Sequence, residues 1–168
     1  WGKGESKTIV HLLGEIEDGE TELVPTGAGS LARKIAAANV DIFYTTPEGR
    51  RLRLEEVGQV FTDGRSRPPR AIDTSIAEKM KVGEQPLKAA VRGVREELGI
   101  SDVLVFRELG SKSLIKDSQS FPGLVTQYEF HRFELELEPR HFRSEGYTEQ
   151  QADKITRSML GVLIKSIF

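Results

Sequence analysis

One segment, residues 85–98, limits the possible folds most strongly, because its apolar residues recur with the period of an α-helix. At about 100° per residue they fall on one narrow stripe. The residues of this stripe are Leu87, Ala90, Val91, Val94 and Leu98. Pro86 suits the first turn of a helix, and Gly99 suits a left-handed stop. The sequence therefore predicts an amphipathic helix over residues 85–98 that packs one side against a core.

The chain before this helix is expected to be rich in β-strands. Residues 7–17 and 21–25 combine β-forming residues with a DGE turn between them, which predicts a strand pair. Residues 40–45 and 51–61 predict two more strands, joined by a PEGR turn. Residues 1–60 are thus expected to form a β-rich entry section.

Strands and a terminal helix are expected after residue 100. Residues 113–117 predict a short strand, and residues 124–138 predict a long one. The apolar phase of the long strand shifts beside His131 and Arg132, which predicts a bulge there. Thr148 and Gln151 resemble a capping box that would open a C-terminal helix.

Composition narrows the classes of function. The 168 residues are 38% hydrophobic and 30% charged, which predicts a single domain over residues 1–168. The net charge of -2 argues against a nucleic-acid partner. The absence of cysteine excludes disulfides, thiolate zinc sites and cysteine nucleophiles.

No apolar run approaches the roughly 20 residues of a membrane span. We therefore expect a soluble protein with no membrane partner. The sequence leaves the compartment open; our expectation is an intracellular protein, and Trp1 in place of methionine indicates a processed or trimmed N-terminus.

The run GEQPLKAAVRGVREELGI, residues 83–100, resembles the larger part of a Nudix box, the signature G-x5-E-x7-R-E-U-x-E-E-x-G-U of the Nudix hydrolases. The spacing is kept without a gap. The matching positions are Glu84, Arg92, Val94, Glu96, Glu97, Gly99 and Ile100. The resemblance implies an α/β fold, the Nudix-type α/β/α sandwich with a mixed, mostly antiparallel sheet, whose box occupies residues 78–100.

Two positions depart from this signature. Gly93 stands where a glutamate follows the arginine, and Glu78 stands where a glycine opens the box. In the family, the missing glutamate is a metal ligand or prepares water for attack, and the opening glycine lets the loop backbone approach the metal. Glycine inside a helix costs about 1 kcal/mol relative to alanine. Gly93 is therefore either a lost ligand position or a point where another element packs closely, and the two explanations are compatible.

The resemblance implies a set of site residues. Glu96, Glu97 and Arg92 are the candidate catalytic residues, and Glu84, Glu96 and Glu97 are the candidate ligands of a weakly bound Mg²⁺ or of none. The alternatives are an exposed acidic face for Glu96 and Glu97, and a structural role at the helix start for Glu84. Arg92, without a glutamate at position 93, keeps Glu96 as its helical partner at i+4.

Other charged residues are less specific. Arg65, Arg67 and Arg70 lie in a loop before the box and either bind phosphate or are simply solvated. The acidic residues of the long strand, Glu129, Glu134 and Glu136, either supply a late carboxylate or mark a half-exposed strand. His131 has no companion histidine and is not interpreted as a ligand.

Two functions follow, from different classes. The first is a catalytically impaired Nudix-like domain that binds a nucleoside diphosphate-type ligand or protein partners, within a larger assembly. The second is a working Mg²⁺-dependent hydrolase of nucleoside diphosphates linked to another moiety, with a carboxylate from elsewhere replacing position 93. A nucleic-acid-binding role ranks third.

Overall fold

The computed structural model describes residues 1–4, 6–27, 29–69 and 73–162. This part of the chain contains two α-helices and nine strands. The helices are α1 (Ile9–Glu17) and α2 (Pro86–Leu98), and a short 3-10 turn spans Pro139–His141. The strands are β1 (Glu22–Pro25), β2 (Leu31–Thr45), β3 (Arg51–Phe61), β4 (Ser66–Arg67), β5 (Ile76–Lys79), β6 (Phe106–Asp117), β7 (Val125–Glu136), β8 (Tyr147–Gln150) and β9 (Lys154–Val162).

Strand β2 is the centre of one mixed sheet. On one side it pairs in parallel with β7, from Ala32 opposite Val125 to Phe43 opposite Glu136. On its other side it pairs with β1, β5 and β3 in turn, all antiparallel. The sheet continues through β6 beyond β7, and through β9 and β8 beyond β3. Among the described strands only the β2–β7 pairing is parallel.

The two helices lie on opposite faces of this sheet. Val40 and Ile42 of β2 belong to the same buried cluster as Val94 and Leu98 of α2. Arg33 lies on the other face of β2, because side chains alternate along a strand, and it binds Glu15 of α1. The prediction of an α/β/α sandwich with a mixed, mostly antiparallel sheet is confirmed.

The predicted strand over residues 7–17 is wrong, because this segment is helix α1. Thr8 caps it by accepting a hydrogen bond from the His11 backbone N–H, and the His11 side chain accepts from the Thr8 backbone N–H. Leu12 and Glu15 face the sheet and are buried. The cap and this burial outweigh the β-propensity of the valine and isoleucines. The following run does form a strand, β1, which pairs with β2.

The predicted C-terminal helix is also wrong. Thr148 lies within β8, and Ile155 and Met159 lie within β9. Strand β9 pairs with β3 over most of its length, from Phe61 opposite Lys154 to Leu52 opposite Val162. A capping-box pattern involves only two side chains, whereas the pairing of β9 with β3 supplies hydrogen-bond partners for backbone N–H and C=O groups along a whole strand. Long-range pairing therefore decides the structure of this segment.

Helix α2 matches its prediction in extent but not fully in the face that it buries. Gly99 ends the helix in the left-handed region, with φ 66°. Val94 is fully buried, whereas Leu87 and Val91 are 49% and 44% exposed. Ala89 and Gly93 are buried instead. The helix is therefore rotated about its axis so that its glycine faces the sheet.

The predicted irregularity near Arg132 lies on the neighbouring strand. The β6–β7 register shifts between Glu108 and Gly110, opposite Phe133 and Arg132. Strand β7 keeps an unbroken register with β2. The extra residue is thus Leu109 of β6. In the ranges that the structure describes, no helix is long and apolar enough to cross a membrane.

Candidate functional site

Arg92 is the centre of a charged cluster between α2 and the strand and loop that precede it. Its Nη2 donates to Glu84 Oε2 at 2.9 Å and to the carbonyl oxygen of Lys79 at 2.8 Å. Its Nη1 donates a short hydrogen bond to Glu78. Glu84 also accepts from the backbone N–H of Lys81 at 2.9 Å. Arg92 therefore joins three parts of the box: helix α2, strand β5 and the loop between them.

The pKa shifts in this cluster follow from burial and from Arg92. Burial raises the pKa of Glu78, although the charge of Arg92 opposes this and Glu96 adds to it. The hydrogen bond from Arg92 lowers the pKa of Glu84. The hydrogen bond to Glu84 is in turn the largest cause that raises the pKa of Arg92 above its ordinary value. Arg92 is thus firmly ionised and is held by carboxylates of the chain itself.

Gly93 faces strand β5 at very close range. A Cβ atom added to Gly93 would lie 2.9 Å from Glu78 Cβ, 3.2 Å from Glu78 Cγ and 3.3 Å from Ile76 Cγ2. Contacts at the first of these distances do not fit normal packing, so a neighbour would have to move. Of the two explanations for Gly93, close packing is the one that the geometry supports directly.

Glu96 and Glu97 lie beyond Arg92 on the same helix. Glu96 Oε2 lies 3.8 Å from Arg92 Nη1, and its side chain is 46% exposed. Glu96 is thus far more exposed than the buried Val94, as the box register requires. Glu97 is half-buried and has an interaction partner of its own.

The three candidate Mg²⁺ ligands, Glu84, Glu96 and Glu97, are not grouped around one position in the described ranges. Within the four described ranges, no three Asp, Glu, His or Cys side chains are grouped so that they could hold one metal ion. Glu84, a candidate ligand, is already engaged by Arg92 and by the Lys81 N–H. The assignment of Glu84, Glu96 and Glu97 to Mg²⁺ therefore stays a prediction, as does the catalytic role of Arg92.

The arginines of the loop before the box stay predictions as phosphate ligands. Arg65 and Arg67 are exposed near the β3–β4 turn. The Arg65 Nε donates to Asp63 at 2.7 Å, and its guanidinium stacks over Phe61 at 5.2 Å. Arg70 lies outside the described residues.

A second feature, which sequence reasoning missed, is a cavity of about 590 Å³ on the sheet face opposite α2. We call it the basic cavity. Its basic lining residues are Lys7, Arg33, Lys79, Lys112, Lys116 and Arg132. Its acidic ones are Glu15 and Asp73. Tyr128 and Phe130 of β7 also line it, with stacked rings 5.5 Å apart and 7° from parallel. The cavity thus combines positive charge with an aromatic surface.

Arg33 carries much of the buried charge of the basic cavity. The residue is 3% exposed, and its Nη2 forms a short ion pair with Glu15. Its buried Nε has no hydrogen-bond partner among the described residues, and neither has the buried Oδ1 of Asn39, which also lines the cavity. Buried polar atoms are normally paired. These two unpaired atoms are buried beneath the wall of the basic cavity and are not exposed to its interior.

The cavity and the box meet at strand β5. Glu78 points to α2, whereas its neighbours Ala77 and Lys79 line the basic cavity, because side chains alternate along the strand. The carbonyl oxygen of Lys79 accepts from Arg92. The sequence could have suggested this cavity only through the alternation of residues on β2 and β7. The parallel register that brings those two strands together is not readable from either one alone.

Comparisons with known proteins give similarity of fold. No protein-family model matches the sequence, and no curated protein matches it either. Among solved structures, the chain is similar to an Ap4A hydrolase of C. elegans, with 16% identity, 73% of this chain and 79% of that chain covered, and a TM-score of 0.40. It is also similar to the Nudix domain of Shewanella oneidensis NrtR complexed with ADP ribose, with 7% identity, coverage of 94% and 84%, and a TM-score of 0.48.

A third similar structure is the Nudix hydrolase RenU of M. smegmatis, with 14% identity, coverage of 84% and 79%, and a TM-score of 0.42. At these identities and TM-scores the similarity bears on neither activity nor ligand. The resemblance to the Nudix family continues to rest on residues 78–100.

Proposed function

We propose that this chain is a Nudix-fold domain that binds a nucleoside diphosphate-type ligand in the basic cavity and has little or no hydrolase activity. The observation that carries the proposal is the lining of that cavity, where Lys112 and Lys116 have no ion-pair partner among the described residues. The other basic lining residues are paired: Lys7, Arg33 and Lys79 with Glu15, and Arg132 with Asp41. Lys and Arg pair with phosphate oxygens, and a planar base stacks on aromatic rings. In a chain of net charge -2, this concentration of positive charge is local.

The state of the box supports weak or absent catalysis. Position 93 has no carboxylate, and Glu78 fills the space into which a side chain there would extend. Arg92 and Glu84 bind each other. Magnesium usually binds through one or two carboxylates plus substrate phosphates. With Glu84 engaged and Gly93 without a side chain, Mg²⁺ binding in the free protein should be weak.

The alternative is a Mg²⁺-dependent hydrolase of nucleoside diphosphates linked to another moiety. One observation favours it: Glu78 places a carboxylate beside Arg92, close to the position that the Nudix signature gives to glutamate. A role in protein binding has weaker support, from the half-exposed Leu87 and Val91 on α2. Measured turnover distinguishes the binding domain from the hydrolase.

The proposal is tested by calorimetric titration with ADP and with ADP-ribose, with and without Mg²⁺. Lys112 lines the cavity, and Lys112→Glu should weaken binding at least about fivefold by placing a negative charge beside the phosphates. Lys88→Glu is the matched control, because Lys88 is an exposed residue of α2 on the other side of the sheet. Equal affinities for the two variants would contradict binding in the basic cavity.

A further inference from the structure

The two departures from the Nudix signature lie against each other in space. A Cβ atom at position 93 would collide with Glu78 Cβ, only 2.9 Å away, and would crowd Glu78 Cγ at 3.2 Å. The signature has the reverse arrangement, with glycine at position 78 and glutamate at position 93. Side chains at both positions do not fit the observed spacing between α2 and β5. A glycine at one position is therefore a condition for a glutamate at the other.

The carboxylate of Glu78 lies in the charged cluster around Arg92. It accepts a short hydrogen bond from Arg92 Nη1, the same atom that lies 3.8 Å from Glu96 Oε2. The Glu78 side chain is 19% exposed, and that of Arg92 is 20% exposed. Removing one partner of such a partly buried pair leaves the other charge uncompensated. Arg92 is therefore held by Glu78 through Nη1, in addition to the two hydrogen bonds that it donates to Glu84.

Arg92 also contacts the backbone of Lys79, a residue whose side chain lines the basic cavity. Its Nη2 binds the carbonyl oxygen of Lys79 at 2.8 Å. The Lys79 side chain extends to the other face of the sheet, where its Nζ lies 2.8 Å from Glu20 and 3.5 Å from Glu15. The backbone that presents Lys79 to the cavity is thus held by its pairing with β2 and, from the helix side, by Arg92.

We infer that Glu78 and Gly93 are one exchanged pair, in which the carboxylate beside Arg92 comes from strand β5 instead of helix α2. Glu78 is the positioning residue that holds Arg92 and, through the Lys79 carbonyl, one edge of the basic cavity. The two departures are therefore one compensated change in the box and not two separate losses. The effect on ligand binding rests on the proposed function, whereas the pairing itself does not.

The pairing is tested without ligand by urea unfolding of Glu78→Gly, Gly93→Ala and the double variant. Gly93→Ala alone should lower the urea midpoint. In the Glu78→Gly background the same change should leave the midpoint unchanged or raise it, because both Glu78 contacts are gone and only Ile76 Cγ2, at 3.3 Å, remains close. Should Glu78→Gly fail to fold, Glu78→Ala removes the Cγ contact alone and should relieve the loss in part. Equal losses in every background would overturn the pairing.

The positioning role is tested by the affinity for ADP. Glu78→Gly should weaken binding at least about fivefold, whereas Glu78→Gly with Gly93→Glu, which returns a carboxylate to the cluster, should recover the original affinity within about twofold. Glu55→Gly is the control for glycine in a strand, since Glu55 is an exposed residue of β3. An unchanged affinity in Glu78→Gly would overturn the positioning role. Failure of the unmodified chain to bind ADP would contradict the proposed function, while the unfolding series would still decide the pairing.

Discussion

The sequence marks Gly93 as an unusual residue for its position, but it does not show which residue packs against it. The Nudix register marks Gly93 and Glu78 as unusual, and helix propensity marks Gly93 as costly. That the two residues touch depends on the β5–β2 register, in which Glu78 lies opposite Ala38. Nothing local to either position carries this information, so close packing could be proposed from the sequence but not assigned to a partner.

Gly93→Ala should lower the free energy of unfolding by roughly 1 to 3 kcal/mol, the usual range for overpacking. Gly14→Ala is the matched control, because Gly14 lies within α1 and an added Cβ there would meet no atom of the described residues within 4 Å. That change should stabilise the protein by about 0.5 to 1 kcal/mol through the unfolded state. Urea unfolding of both variants measures the contrast. Stabilisation by Gly93→Ala would refute close packing at this position.

Helix α2 was predicted from its period, and its ends agree with Pro86 and Gly99. The buried face was predicted less well, because the apolar stripe alone does not show how close the helix approaches the sheet. The helix buries the side that carries the small residues Ala89 and Gly93, so Leu87 and Val91 remain half-exposed. Periodicity thus predicts a helix and its approximate face, whereas packing sets the final rotation.

The two valines of α2 give a direct test of this rotation. Val94→Ala should cost roughly 2 kcal/mol, because Val94 is fully buried in the core cluster. Val91→Ala, the same change one turn earlier, should cost no more than about 0.5 kcal/mol, since Val91 is 44% exposed. Thermal or urea unfolding of the two variants gives the comparison. Equal costs would mean that both valines face the core.

Helix α1 and the hairpin of β8 and β9 show where local patterns fail. Their propensities favoured the opposite structures, and contacts distant in sequence decided the outcome. In α1 the contacts of Glu15 add to the local cap at Thr8, because Glu15 binds Lys7 at 2.6 Å and also Arg33 on the sheet. Burial alone would raise the pKa of Glu15, but the Lys7 hydrogen bond and the charges of Lys79 and Arg33 outweigh it and lower the pKa to about 2.

This shift sets a pH window for stability. A carboxylate with a lowered pKa in the folded state stabilises the protein above its unfolded pKa, and this contribution is lost as the pH falls to the folded value. For Glu15 the loss should occur between pH 4.5 and about 2. The contribution is on the order of 3 kcal/mol. Glu15→Gln should flatten the dependence of unfolding free energy on pH in this window. An unaltered dependence would show that the ion pairs of Glu15 are not stabilising.

In the molecule as a whole, the charged cluster around Arg92 and the basic cavity lie on opposite faces of the sheet, and strand β5 contributes residues to both. The box and its charged cluster lie on the α2 side, and the basic cavity lies on the other side. The sequence predicted the first through a contiguous motif. It did not predict the second, whose residues come from α1, four strands and the segments between them, and are assembled by the sheet order. A contiguous motif is therefore readable from sequence, whereas an assembled cavity is not.

We propose that this chain binds a nucleoside diphosphate-type ligand without hydrolysing it efficiently. Titration of the unmodified chain with ADP-ribose in Mg²⁺, followed by analysis of the same samples for hydrolysis products, measures binding and turnover together. The expected result is saturable binding with turnover far below the ordinary enzymatic range of about 1 s⁻¹ or faster. Turnover within that range, abolished by Glu97→Gln, would contradict the proposed function, and so would the absence of binding.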